Sequence, residues 1–520
     1  MSDLLSTGEI KKRSISGAKW LIVMNGLGMP AAFVIALLLG RAGPEVLGIY
    51  ALAQILIGVI ITFVIYGGAP VLSVFMPKLS DAEERGRFLF SYALVLLSMM
   101  AIILGLFWLF PRGFEFLLQR EFDMRNYGWF VLLALVIVVA ETLANAAAGL
   151  MLIKAAAIAR QMMRLILLPT IVILFFFKHD ILIDHGLPII LGGFLLGYLA
   201  AAIICAISIA RDSRFKMRPG WLLPRGFWPF SLSTMAATVF TFFYGNFDRM
   251  AVLSIDDVAG LGMYQAVITI NMLLERLPAL LLPSVLPTFS NLLSTGNIST
   301  FKRAFAILCR WAVAPITLAA LVIMGFSREI LSLFGEAYVE YAYLLTLFGF
   351  VGITRSMNLG SLTVITCMEK NTFRFFWTFS QILAQVALTF VFLSSYGVMA
   401  IAGAKMIAVA GATIVGVLYI IHLPSMALKI PLSYKIAVLT GAVMTVLRIW
   451  VIPVGWVSAT VLTLTCMLLF LLLSRFGWIE IRGLIQFIIH HDVSILARMA
   501  EKDQNGWTTG SSERGEQNEK

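Results

Sequence analysis

Seven ionisable side chains fall inside long apolar runs of this chain: Glu141, Arg160, Arg164, Glu275, Arg276, Arg355 and Lys405. A charge at the centre of a bilayer costs roughly 2.5–3.5 kcal/mol on insertion scales, so each needs a partner or a watery cavity. Arg160 and Arg164 are one helical turn apart and share a face. Two cations at that spacing repel unless an anion or a carboxylate lies between them. Five deep positives (Arg160, Arg164, Arg276, Arg355, Lys405) stand against two deep negatives (Glu141, Glu275). A cavity of that sign suits an anion, and the planar guanidinium can grip phosphate oxygens in pairs. Glu141, Glu275 and Asp248, the last near the end of its run, are the carboxylates available for gating or for binding a coupling ion. Lys19, Arg310 and Arg374 lie nearer run ends, where snorkelling to headgroups explains them.

Other chemistry is missing. No GxxxxGK[ST] phosphate loop and no HExxH motif occurs. The five histidines (179, 185, 422, 490, 491) sit at or beyond run ends. Cys205, Cys309, Cys367 and Cys466 lie within apolar runs without CxxC spacing, and read as small core residues. No catalytic residue, metal site or cofactor is expected.

The elements that must hold these charges are membrane helices. The chain is 60% hydrophobic and 13% charged, against about 25% charged in soluble domains. Its apolar runs are continuous and near 20 residues, which fits helices and excludes a β-barrel. The fold class is therefore all-α and polytopic. About 14 spans are expected: 18–40, 47–70, 88–110, 128–153, 156–177, 187–210, 228–253, 259–291, 305–326, 341–368, 373–396, 399–422, 434–453 and 455–474. The eighth is too long for one straight helix, and Pro278, Pro283 and Pro287 should bend or end it. The net charge of +11 reads as Lys and Arg in cytoplasmic loops, not as a nucleic-acid surface. With the N-terminus inside, about 20 Lys and Arg lie near inner span ends against 8 outside. Both termini are thus expected in the cytoplasm.

The chain also repeats itself. Leu47-Gly48-Ile49-Tyr50 returns as Leu261-Gly262-Met263-Tyr264, an offset of 214 (261 less 47). Val71-Leu72, Phe75, Glu115, Leu117 and Arg160 return at the same offset as Val285-Leu286, Phe289, Glu329, Leu331 and Arg374. Six spans per copy is an even number, so both copies insert the same way, as in parallel-repeat transporters. The expected organisation is a cytoplasmic N-terminus (1–17), a six-helix lobe (18–210), a linker (211–225), a second pseudo-symmetric lobe (226–422), two extra helices (423–474) and a tail (475–520). The linker reads as a tether that suits a rocking hinge. Residues 476–499 read as an interfacial amphipathic helix and 501–520 as disordered. Glu141 and Arg355 are repeat-equivalent and could pair across a central cleft. The alternative is that each finds a partner in its own lobe.

The stretch from Lys12-Arg13 to Trp20, Gly43-Pro44-Glu45-Val46-Leu47-Gly48-Ile49-Tyr50, Asn246-Phe247-Asp248-Arg249, and Glu329-Ile330-Leu331 to Phe334-Gly335-Glu336-Ala337-Tyr338 resemble the polysaccharide-exporter (Wzx-type) flippases. These belong to the multidrug/oligosaccharidyl-lipid/polysaccharide (MATE-like) exporter superfamily. The resemblance covers about residues 10–425. It implies two six-helix lobes, alternating access, and transfer of an undecaprenyl-diphosphate-linked sugar repeat to the periplasmic leaflet for surface polysaccharide such as lipopolysaccharide O-antigen, capsule or exopolysaccharide. It places the protein in the bacterial inner membrane, among membrane lipids, as a transporter and not an enzyme. Arg276 and Arg355 are the positions it matches to a cationic cavity. Polymerase and glycosyltransferases are the candidate protein partners. In related lipid II flippases an extra helix pair forms a groove for the lipid tail.

Two other readings compete. A cation- or proton-coupled multidrug antiporter of the same superfamily commonly carries a carboxylate in its first span, and 18–40 has no Asp or Glu. A membrane glycan polymerase would be expected to have a larger external domain than the 111–127 loop provides.

Overall fold

The computed structural model describes residues 7–65, 68–79, 81–109, 127–279, 289, 292–293, 296, 298–368, 370–422, 431–451 and 456–474. All the regular structure among them is helical, because a helix satisfies its backbone polar groups within one segment. In chain order the helices are α1 (Thr7–Ala42), α2 (Pro44–Val64), α3 (Gly68–Phe75), α4 (Ala82–Leu109), α5 (Tyr127–Gly149), α6 (Ile153–Phe177), α7 (His179–Asp184) and α8 (Gly186–Ala210). There follow α9 (Phe227–Ile255), α10 (Val258–Ala279), α11 (Ile298–Gly325), α12 (Ser327–Ser332), α13 (Ala342–Cys367), α14 (Asn371–Tyr396), α15 (Val398–Ile421), α16 (Leu432–Val446) and α17 (Trp456–Ser474). Thirteen helical segments among the described residues are long and apolar enough to cross a membrane. The expected seventh span, α9, is not among them. It is 29 residues long, and its Ser, Thr, Gly, Asn, Asp and Arg residues dilute its apolar character.

The chain forms two compact units, Met1–Ala266 and Val267–Lys520. In the first, α6 packs on α1 and α8, α5 packs on α3 and α8, and α9 lies against α2 and α3. Glycines set these distances. A Cβ on Gly28 would overlap the Gln161 side chain, and one on Gly197 would overlap the Met163 backbone. Small residues are what let membrane helices approach, since lipid offers no hydrophobic drive between them.

In the second unit, α13 packs on α11 and α15, and α15 packs on α14. Its core gathers Phe289, Phe301, Phe305, Trp311 and Met324. The two extra helices join that core through Tyr434, Ala437, Met444, Leu462, Cys466 and Phe470. Gly325 of α11 seats Thr463, and the Tyr434 hydroxyl donates to the Met357 carbonyl over 3.1 Å.

Several boundaries differ from expectation. The first helix begins at Thr7, so the basic flank Lys11-Lys12-Arg13 is helical. The eighth span ends at Ala279, just past Pro278, while Pro283 and Pro287 lie outside the described residues. The amphipathic segment 476–499, the tail and most of the 111–127 loop lie outside them as well.

The linker is bonded down where a tether was expected. The Lys216 amide donates to the Ala82 carbonyl (3.1 Å), and the Leu222 amide donates to Ser91 Oγ (2.7 Å). Ser91 also donates to the Gly220 carbonyl (3.1 Å), and Arg85 Nη1 to the Arg214 carbonyl (3.0 Å). Glu83 pairs with both Lys216 and Arg218. Arg214 reaches back to the Leu150 carbonyl (2.7 Å). Residues 214–222 are therefore a strap along the start of α4. The strap is followed by Gly226, whose φ of +82° is a left-handed turn that suits glycine.

Loosening the strap is testable. Gly86→Ala forces a methyl into the Lys216 carbonyl, a clash of about 1–3 kcal/mol. Ser91→Ala removes two strap bonds. Trypsin is expected to cut after Lys216 or Arg218 several-fold faster in either variant. Unchanged cleavage would show that these bonds do not hold the strap.

Candidate functional site

Each unit holds a polar cluster built on an arginine. In the first unit, α6 carries Arg160, Gln161 and Arg164 on adjoining faces. Gln161 Nε2 donates to Asn25 Oδ1 of α1 (3.1 Å), and Arg164 Nη1 donates to Gln161 Oε1 (2.8 Å). The close approach of Gly28 to Gln161 makes this bond possible. Arg160 Nη2 donates to Asn145 Oδ1 of α5 (3.3 Å). Glu141, one turn before Asn145, lies within the electrostatic reach of Arg160. Tyr198 of α8 lies in the neighbourhood of both Glu141 and Arg164. Tyr50 of α2 is hydrogen-bonded with Gln54 and feels Arg164 and Arg249.

In the second unit, Arg355 of α13 pairs with Glu275 of α10. Asn271 Nδ2 donates to Glu275 Oε1 (2.9 Å), which holds the carboxylate from one turn away. Gly352 lets α13 settle on Leu274, so Arg355 meets Glu275 side-on. The pair is part-exposed, at 31% for Arg355 and 21% for Glu275. It contrasts with Arg448–Glu329 (3.5 Å), where the extra helices meet α12 at exposures of 3% and 9%. The first pair is partly accessible; the second is buried and ties the segment after α16 to α12.

The sequence-derived residues thus divide. Arg160, Arg164 and Glu141 come together in the first unit, and Glu275 and Arg355 in the second. Repeat-equivalent Glu141 and Arg355 each find a partner within their own unit. The backbone of Arg276 belongs to α10, but its side chain lies outside the described residues. Lys405 is 7% exposed, with Nζ over the Phe348 ring at 5.0 Å, a cation–π contact between α15 and α13. Asp248 is fully buried and accepts a hydrogen bond from the Tyr264 hydroxyl (3.0 Å). Arg249 beside it donates to Asn246 Oδ1 (3.3 Å).

Charge counting missed the neutral partners. Asn145 bonds Arg160, Gln161 bonds Arg164 and Asn271 bonds Glu275. A signal was present: Gln161 is three residues before Arg164, Asn145 four after Glu141, and Asn271 four before Glu275. An amide at helical spacing from an intramembrane charge shares its face.

These features define a class: an all-helical, multi-pass membrane protein with an arginine-containing polar cluster in each of two units. The family described as polysaccharide biosynthesis protein matches residues 14–293, more than half of the chain, and the chain belongs to that family. The fold agrees. The lipid II flippase MurJ, in an inward closed conformation, superposes with a TM-score of 0.63 at 14% identity, over 89% of this chain and 99% of that one. An inward-facing multidrug-resistance MATE transporter of the MOP superfamily gives 0.58 at 14% identity, over 77% and 97%. A MOP transporter from Pyrococcus furiosus gives 0.55 at 13% identity, over 79% and 94%. A comparison with curated proteins returned no match. The polysaccharide family read from the sequence is therefore the one the chain belongs to, and its fold is like that of the lipid II flippase and the MATE transporter.

The two arginine pairs of the second unit should separate stability from transport. Arg355→Gln is expected to cost about 1 kcal/mol, as for a solvent-accessible pair, but to lower transport at least tenfold. Arg448→Gln strands a buried Glu329 and is expected to cost about 3 kcal/mol. Thermal melts in detergent beside a surface-glycan assay check both. A large melting shift with Arg355→Gln would make that pair structural.

Proposed function

We propose that this transporter moves an undecaprenyl-diphosphate-linked oligosaccharide repeat unit from the cytoplasmic to the periplasmic leaflet, in the synthesis of a surface polysaccharide. The observation that carries this reading is how Arg160 and Arg164 are held. Both bind neutral amides, and Glu141 is the carboxylate found near Arg160 among the described residues. Their charge is only partly cancelled, which suits a diphosphate. Arg355 supplies a further guanidinium whose bond to Glu275 a phosphate could replace. The polyprenyl tail stays in lipid, so only the headgroup needs a polar path.

The repeat units 18–210 and 226–422 are the moving lobes in this reading. The protein lies in the bacterial inner membrane with both ends in the cytoplasm, following its loop charges. Glu141, Glu275 and Asp248 are the sites for a coupling ion or proton. The glycosyltransferases that build the repeat unit and the polymerase that consumes it are the protein partners. A multidrug antiporter is disfavoured: the membrane-crossing part of α1, Val23–Ala42, carries no carboxylate, and its Asn25 is engaged by Gln161.

Depletion of the protein should accumulate a lipid-linked oligosaccharide on the cytoplasmic side. Arg164→Ala should fail to clear it, with surface glycan down at least tenfold, while Arg164→Lys should restore part of the flux. Normal glycan with new drug sensitivity on depletion would replace this reading with the antiporter.

A further inference from the structure

The repeated Leu-Gly-x-Tyr motif meets its own copy. An ideal Cβ on Gly48 of α2 would overlap the carbonyl oxygen of Val258 in α10. An ideal Cβ on Gly262 would overlap the carbonyl oxygen of Pro44. Pro44 and Val258 are themselves 214 residues apart (258 less 44), the offset that relates Gly48 to Gly262. The contact is therefore reciprocal: each copy lays its glycine on the other's first-turn carbonyl. All four residues belong to the first compact unit. Leu47, Leu261, Tyr50 and Tyr264 around the crossing are buried.

We propose that this glycine crossing is a symmetric clasp that closes the outer end of the transport path, and that it must part for release. Three features argue for it. Backbone touches backbone at two points, which leaves no gap for a diphosphate-sugar headgroup. Glycine–carbonyl contacts are individually weak, so the clasp can separate without breaking an ion pair. The clasp also lies near the arginine cluster: Tyr50, two residues beyond Gly48, has Arg164 and Arg249 among its charged neighbours. Its twin Tyr264 donates instead to buried Asp248, so the two halves are alike in backbone and different in their bolts. Only the Tyr264–Asp248 bolt is a hydrogen bond to a carboxylate, and it ties α10 to α9.

The outer-side assignment rests on the orientation given above, but the clasp does not depend on the lipid-linked substrate. The test uses the full chain with its four native cysteines replaced and Gln54→Cys added one turn below Tyr50. An impermeant maleimide is applied to intact cells. Gly48→Ala and Gly262→Ala should each raise labelling several-fold, and the double variant should add little, because either methyl alone holds the clasp apart. Tyr264→Phe should act in the same direction to a smaller extent. Unchanged labelling in folded Ala variants would overturn the clasp. If those variants fail to accumulate, Tyr264→Phe decides in the same way. Labelling that rises only in inverted vesicles would overturn its placement at the outer end. A rise in labelling without any lipid-linked intermediate on depletion would leave the clasp and remove the proposed substrate.

Discussion

A charge in hydrocarbon must be answered from within its own bundle, and much of this protein's interior follows from that requirement. Glu275 is answered by Arg355 and Asn271 together. Arg160 and Arg164 are answered by amides drawn from α5 and from their own helix. Lys405 is answered by the face of Phe348. The currency differs each time. A carboxylate cancels charge, an amide only orients it, and an aromatic face solvates it weakly.

Close backbone approach is the second requirement. Among lipid tails, helices gain little from burying apolar surface against one another, so packing depends on small residues and interhelical hydrogen bonds. Gly28 brings α1 to Gln161, Gly352 brings α13 to α10, and Gly325 seats the extra helices. The same device at Gly48 and Gly262 joins two copies of one motif. The interhelical bonds Gln161–Asn25 and Arg355–Glu275 form where these approaches place the partners within reach.

The strap changes how motion can be pictured. Residues 214–222 travel with α4, since their amides, carbonyls and charges are committed to it. The extra helices are committed in the same sense, with Tyr434 and Arg448 tying them to α13 and α12.

Sequence alone was enough for the membrane class, most of the spans, the repeat and the excess of arginine within apolar runs. These depend on local apolarity, on charge cost and on identity at a fixed offset, and none needs a fold. It also named Glu275 and Arg355, but it could not say that they pair, because 80 residues separate them (355 less 275). Tertiary structure decided the partners. It placed Lys405 against an aromatic ring, sent Glu141 and Arg355 to separate partners, and turned a tether into a strap. The reason is physical: helical spacing dictates which residues share a face, whereas the face opposite is chosen by where glycines let two helices meet.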